Sequence, residues 1–211
     1  MGAVIDTSAH VQMLRDGSVT RVNLAPLTHK ARLWLHNKQK GVLVSRTDPE
    51  GRVCLVPELC RHLNVRHLIP IGRLDYTSEG LILLTDDGGL AQRLMRSGIP
   101  RHYTLRVRGE VDEEKLKRLQ QGITVRGVTY KPLQASLANR QTGSNVWINV
   151  TMREGKNREL RNIMEFGLRY TVSRLVRIGF GPYRLPRALA AGDTMEVENL
   201  FKSEQTTLAR D

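Results

Sequence analysis

The chain has 211 residues, enough to bury a hydrophobic core without disulfides or a structural metal, as one large domain or two small ones. Thirty-three Lys and Arg against 21 Asp and Glu leave a net charge of +12 on a chain that is 40% hydrophobic, the balance of a globular protein that meets a polyanion. No apolar run approaches the ~18 residues of a membrane-spanning helix, and MGAVIDTSAHVQMLRDG has neither the cationic nor the apolar region of a secretory signal.

Residues 1–30 show no sustained period and read as a terminal arm or the remnant of something longer. Arg32-Leu33-Trp34-Leu35-His36 alternates polar and apolar, which predicts a strand. Lys40-Gly41 marks a turn, Val42-Leu43-Val44 a second short strand, and Asp48-Pro49-Glu50-Gly51 a turn in which Pro fixes one dihedral and Gly supplies positive φ. A short helix is expected over 56–63. The two cysteines, Cys54 and Cys60, argue against a disulfide framework. With His62 and His67 they match no common zinc spacing.

Leu68 to Asp75 is an apolar run that ends at a polar corner. Leu81 to Leu84 predicts a buried strand closed by an Asp87-Gly88 turn, and 90–95 a helix. Tyr103 to Val107 alternates as a strand. A charged helix follows over 113–120 with Asp112 as N-cap. Further strands are expected around 123–125, 134–137 and 145–152. Asn157 to Glu165 predicts a basic helix opening after Gly155. Val172 to Phe180 reads as extended, Gly181-Pro182 ends it, and 195–197 forms a last strand. Strands outnumber helices without alternating with them, so the fold class is α+β with a mixed, mostly antiparallel sheet.

Charge is concentrated late in the chain. Residues 151–187 carry nine Lys or Arg against three Glu, half of the net charge, which makes nucleic acid the favoured partner. The segment with most chemical promise is Gly72-Arg73-Leu74-Asp75-Tyr76-Thr77-Ser78-Glu79-Gly80, a polar corner between two apolar runs. Two readings of Asp75 fit the residues alone. It caps the backbone of its own turn, or it is a partly dehydrated carboxylate kept ionised by a nearby cation and able to act as a nucleophile. Asp75, Glu79, Asp86 and Asp87 are also dense enough to hold two metal ions of a nuclease. Asp86-Asp87-Gly88, however, reads more simply as a strand-ending turn.

Gly72-Arg73-Leu74-Asp75 followed by Ser78-Glu79-Gly80-Leu81-Ile82-Leu83-Leu84-Thr85-Asp86-Asp87-Gly88 resembles the signature of the RsuA-like branch of the RNA pseudouridine synthases. Leu35-His36-Asn37-Lys38-Gln39-Lys40-Gly41-Val42-Leu43 resembles the family's first motif, with Gln39 where Pro is usual. Asp48-Pro49-Glu50-Gly51-Arg52 is similar to a stretch of its large-subunit members. Glu154-Gly155-Lys156-Asn157-Arg158-Glu159-Leu160-Arg161 and the block from Val172 to Pro182 resemble the RluB-type subgroup. The resemblance covers roughly residues 32–198, with the motifs in order.

The resemblance implies the pseudouridine synthase fold, with helices packed on the sheet, over residues 31–200, between an arm or vestige of an RNA-binding domain (1–30) and a tail (201–211). It implies isomerisation of a uridine in ribosomal RNA, and the RluB-type motif points to the large subunit, within a maturing particle. Asp75 would be the nucleophile, Tyr103 the aromatic that packs on the flipped base and moves a proton, and Arg161 the cation paired with Asp75. Leu160 would line the pocket, while Arg73, Lys156, Arg158, Lys38, Lys40, Arg174 and Arg177 would hold RNA. The reaction has no redox step and transfers no external group, so no cofactor or metal is expected. Arg101 stands two positions before Tyr103, where the family's Lys is adjacent, and Asn162 replaces a second Arg after Arg161. Family members carry a small N-terminal RNA-binding domain where about thirty residues precede the core here. That difference raises a second reading, an RNA-binding ribosome-assembly factor built on the same fold with little or no catalysis. The expected compartment is a bacterial cytoplasm or, alternatively, an organelle matrix.

Overall fold

The alternation that begins at Arg32 becomes a strand in which successive side chains enter opposite layers of the molecule. The computed structural model describes residues 10–13, 19–23, 30–142 and 145–201. It divides the chain into two units, Met1–Lys30 and Ala31–Asp211. In the first, β1 (His10–Met13) pairs antiparallel with β2 (Val19–Asn23), a pairing that the weak patterning there does not announce. Most of the expected arm, and the expected tail beyond Phe201, lie outside the described residues.

In the second unit nine strands form one sheet. They are β3 (Leu33–Lys38), β4 (Ile69–Pro70), β5 (Glu79–Thr85), β6 (Arg101–Arg108), β9 (Gln134–Thr142), β10 (Asn145–Met152), β11 (Val172–Phe180), β12 (Tyr183–Arg184) and β13 (Thr194–Val197). The main path runs β13-β3-β5-β11-β6-β10-β9, with β12 beside β11 and β4 beside β5. Every pairing is antiparallel except β5 with β11, where Val176 meets Glu79 and Arg177 meets Gly80. β7 (Ile123–Val125) and β8 (Val128–Tyr130) make a separate hairpin. The fold is thus α+β with a mixed, mostly antiparallel sheet, as expected.

Period-two patterning separates two cores. On β3 and β5, Leu33, Leu35, Leu81 and Leu83 face one layer, where they meet Leu90, Ala91 and Leu94 of α2 (Gly88–Arg96). Trp34, Ile82 and Leu84 face the other, larger layer, with Leu55, Val56 and Leu59 of α1 (Leu55–His62) and Leu116 of α3 (Glu113–Arg118). Leu81, Ile82, Leu83 and Leu84 are all fully buried. At ~1.5–3 kcal/mol per buried aliphatic side chain, this one strand fixes the register of its neighbours.

Several local expectations change. Val42 to Val44 forms only an isolated bridge, Leu43 to Cys54. Asp87-Gly88 is the start of a helix: Asp87 Oδ1 accepts the Leu90 N–H at 2.5 Å and caps α2. Asp112 caps α3 as expected, accepting from the Glu114 and Lys115 N–H groups. The basic helix after Gly155 is shorter, because Arg158 takes φ +50°. It runs as α4 (Glu159–Asn162) and continues as a π-turn over Ile163–Gly167.

Burial of His36 makes a pH prediction. The ring lies between β3 and β13 with Nδ1 2.8 Å from Thr194 Oγ1. Burial, and then the charge of Lys38, lower its pKa from 6.5 to about 4. The unfolded chain therefore binds this proton first. The stability linked to neutral His36 is present above pH 6.5 and lost as pH falls through about 4, a loss of about 3 kcal/mol. Urea midpoints at pH 7 and pH 4 should show that fall in the wild type and a smaller one in His36→Gln.

Candidate active site

The polar corner predicted around Asp75 is a tight turn fastened at both ends. Ile71 and Leu74 are buried anchors, and the Ile71 N–H donates to the Leu83 carbonyl. Gly72 at φ +79° turns the chain outward. The Ser78 N–H then donates back to the Asp75 carbonyl at 3.0 Å and closes the turn. From outside, the Gly41 N–H donates to the Tyr76 carbonyl at 2.8 Å. From behind, Lys38 Nζ donates to the Ser78 carbonyl at 2.8 Å and to the Gln39 carbonyl at 2.9 Å. Asp75 is thereby presented on a rigid support, its side chain 28% exposed.

Three elements bring the expected partners to it. The short helix α4 carries Arg161, whose side chain is buried and whose Nε lies 3.9 Å from Asp75 Oδ2, in ion-pair range but beyond a hydrogen bond. Arg161 also reaches the Thr77 carbonyl at 3.4 Å, the Val172 carbonyl at 3.5 Å and Glu165 at 4.0 Å. Burial and then Arg158 pull its pKa below the ordinary value, while Asp75 and Glu165 oppose them. An arginine so placed stays charged, where a lysine would be prone to lose its proton. β6 contributes Tyr103, buried between β10 and β11. Asp75, Tyr103 and Arg161 line one pocket, with Leu160, Met152 and Leu175 as its apolar wall.

The rim of this pocket is basic. Arg73, Lys156 and Arg158 line it and are exposed. Lys156 is also tied down: its ammonium pairs with Glu154 at 2.8 Å, donates to the Thr129 carbonyl at 2.6 Å and lies 5.5 Å from the Tyr130 ring centre. Asn162, standing where the resemblance leads one to expect arginine, donates to the Tyr130 hydroxyl and the Asn157 carbonyl. Arg101 donates to the carbonyls of Arg153 and Glu154 from beneath the same loop. These contacts shape the segment 153–158 into a fixed edge.

Four residues expected to hold RNA fall outside the pocket wall. Lys40 is exposed at the turn after β3. Arg174 is exposed but engaged in a two-pronged pair with Glu79 at 2.8 and 3.1 Å. Lys38 and Arg177 lie inside the protein, because each stands two residues on from a buried residue of its own strand face, His36 in β3 and Leu175 in β11. The Arg177 Nε donates to the Leu81 carbonyl at 2.6 Å. Both side chains brace the site from within. Sequence reasoning missed Ser78 and Glu159, which also line the pocket and are buried. Glu159 Oε2 accepts the Lys156 N–H at 2.8 Å, and burial pushes its carboxyl above the usual range. Its one sequence signal is a position four residues after Gly155, inside a basic segment.

Lys38 supplies a second pH prediction. Burial lowers its pKa to about 8, opposed by the charges of Asp75 and Glu79. As pH rises through about 8 the ammonium is lost, and with it the charge that holds the Ser78 and Gln39 carbonyls and faces Asp75 and Glu79. Activity should therefore fall on an alkaline limb near pH 8, and Lys38→Arg should move that limb upward. Linked stability has the opposite sign, since a lowered folded pKa favours the fold above 10.5 and disfavours it as pH falls through about 8. A pH–rate profile beside a pH–urea profile separates the two.

A pocket with a carboxylate–guanidinium pair inside and exposed cations at its mouth suits a substrate whose reacting part enters while its phosphates stay outside. A family model for RNA pseudouridylate synthase matches residues 32–166. The chain belongs to the RNA pseudouridylate synthase family. The Ribosomal large subunit pseudouridine synthase B of Haemophilus influenzae is 37% identical over 213 residues, covering 95% of this chain and 56% of that protein. The protein of that name from Yersinia pestis is 33% identical over 202 residues, 94% of this chain and 62% of its own length. That from Escherichia coli K12 is 38% identical over 171 residues, 79% and 57%. The chain thus spans between 56% and 62% of these curated relatives. Among solved structures, a crystal structure of a pseudouridylate synthase superposes with a TM-score of 0.66 at 23% identity, over 89% of this chain and 80% of that one. An archaeal box H/ACA Nop10–Cbf5 complex gives 0.51 at 19%, over 76% and 51%. At these identities the likeness is one of fold.

Proposed function

We propose that the chain isomerises a uridine of ribosomal RNA to pseudouridine, with Asp75 acting on the sugar of a nucleotide flipped into the pocket. The observation that carries this reading is the joining of Asp75, Arg161 and Tyr103 in one pocket of a pseudouridylate synthase family member. In the reaction the bond from C1′ to N1 breaks, the uracil turns over, and a bond from C1′ to C5 forms. C5 gives up its proton and N1 gains one, so atoms balance with nothing added. Asp75 supplies the negative charge at the sugar, either by adding to C1′ or by promoting loss of a proton from C2′. Arg161 orients that carboxylate and balances its charge. The Tyr103 hydroxyl is the group for the proton at C5. The apolar wall of Leu160, Met152 and Leu175 retains the uracil while it is detached.

Large-subunit RNA in a maturing particle is the proposed substrate, on the strength of the relatives' names and of the basic rim. Because C5 loses its hydrogen, uridine labelled with tritium at C5 reports turnover directly. Purified protein given labelled precursor rRNA or immature large subunits should release tritium in step with pseudouridine. Tight binding with no release from any of these RNAs would replace this reading with that of an RNA-binding assembly factor.

A further inference from the structure

The turn that presents Asp75 also holds a buried hydroxyl that bonds none of the described residues. Ser78 is 1% exposed and lines the pocket. Its backbone is fully engaged, the N–H by the Asp75 carbonyl and the C=O by Lys38 Nζ. Its Oγ has no hydrogen-bond partner among the described residues, and neither has Arg161 Nε, 3.9 Å from Asp75. Arg161 Nη2 donates to the carbonyl of Thr77, so both orphaned atoms belong to groups at the same turn. A third such atom, on Arg177, belongs to a residue outside the pocket lining. Buried polar atoms are nearly always bonded, because an unmade bond there costs what desolvation removed. Two orphans in one wall beside a reactive carboxylate therefore mark where a bound molecule completes the bonding.

We propose that Ser78 is a substrate-binding residue, its hydroxyl hydrogen-bonded to the target nucleotide alongside Arg161 Nε. This rests on the functional reading above. The hydroxyl both donates and accepts, while the guanidinium N–H only donates, so the pair fits a ribose 2′-hydroxyl or a uracil carbonyl. Both belong to the nucleotide whose sugar Asp75 engages. Because the turn is clamped at its N–H and C=O, the serine backbone is already ordered before binding, and little of that ordering cost remains.

The test is Ser78→Ala, assayed beside the wild type and Asp75→Asn on the same RNA. Loss of the hydroxyl should lower kcat/KM by about ten- to hundredfold. The melting temperature should stay level or rise, since no intramolecular bond is removed. A wild type that forms no pseudouridine would refute the functional reading itself. An active wild type with an equally active Ser78→Ala would overturn the proposal, as would an activity loss matched by a fall in melting temperature, which marks a structural role. Once the modified site is mapped, oligonucleotides with uridine or 2′-deoxyuridine at that position tell the two contacts apart. If the ribose hydroxyl is the partner, the binding penalty of Ser78→Ala vanishes on the deoxy substrate; if the uracil carbonyl is, it persists. A penalty on neither contradicts both.

Discussion

Asp75→Asn is expected to abolish pseudouridine formation, lowering kcat by about four orders of magnitude or more while RNA affinity changes by about twofold or less. The amide has the shape of the carboxylate but neither its charge nor its nucleophilicity. Nothing else in the pocket replaces it: the other buried carboxyl there, Glu159, is held by the Lys156 N–H and pushed toward its neutral form. Binding should survive because the rim cations Arg73 and Arg158 are untouched. Folding should survive as well. Asp75 is partly exposed, its contact with Arg161 is long, and Glu165 remains at 4.0 Å from the same guanidinium. Single-turnover product formation, filter binding and a melting curve on one preparation check all three expectations. Retention of more than about a hundredth of wild-type turnover would remove Asp75 from the chemistry.

The second large effect is on the fold. Gly80→Ala is expected to destabilise by about 4 kcal/mol or more, a large part of the ~5–15 kcal/mol that holds a typical domain together. Gly80 has φ +98° and sits at the single parallel contact of the main sheet, opposite Arg177. A Cβ there would stand 2.3 Å from the Arg177 carbonyl oxygen and 2.9 Å from its nitrogen. Those are backbone atoms, fixed on the other side by pairing with Tyr103. The strands must part, and the Asp75 turn would part from the Tyr103 wall with them. Gly72 is the control: its φ of +79° is similar, but a Cβ would meet nothing within 4 Å. Gly72→Ala should therefore cost only the conformational strain of about 1–2 kcal/mol. Urea midpoints of the two variants measure the difference.

Much of this was legible where local pattern and tertiary role agree. The alternation of 32–36 and 103–107 marked β3 and β6 because each face of those strands meets a different environment. Asp112 announced its helix through capping chemistry. Asp75, Tyr103 and Arg161 were placed by resemblance, not by pattern, and the structure brings all three into one pocket. The misses share a cause. Lys38 and Arg177 continue the faces of His36 and Leu175, and only the fold shows that both faces are buried. Asp87-Gly88 reads as a turn because the expected helix begins at residue 90, and the Asp87 cap moves its start back to Gly88. Ser78 and Glu159 became visible only through burial and an unmade or shifted bond, which are properties of the folded pocket rather than of the residues.

The central claim is that this pocket converts uridine through Asp75. Position-resolved pseudouridine mapping of large-subunit rRNA tests it most directly, in cells with the gene, without it, and complemented with Asp75→Asn. The account predicts a pseudouridine that disappears with the gene, returns with the wild-type chain and stays absent with Asp75→Asn. Identical maps in all three strains, or a full return with Asp75→Asn, would contradict it.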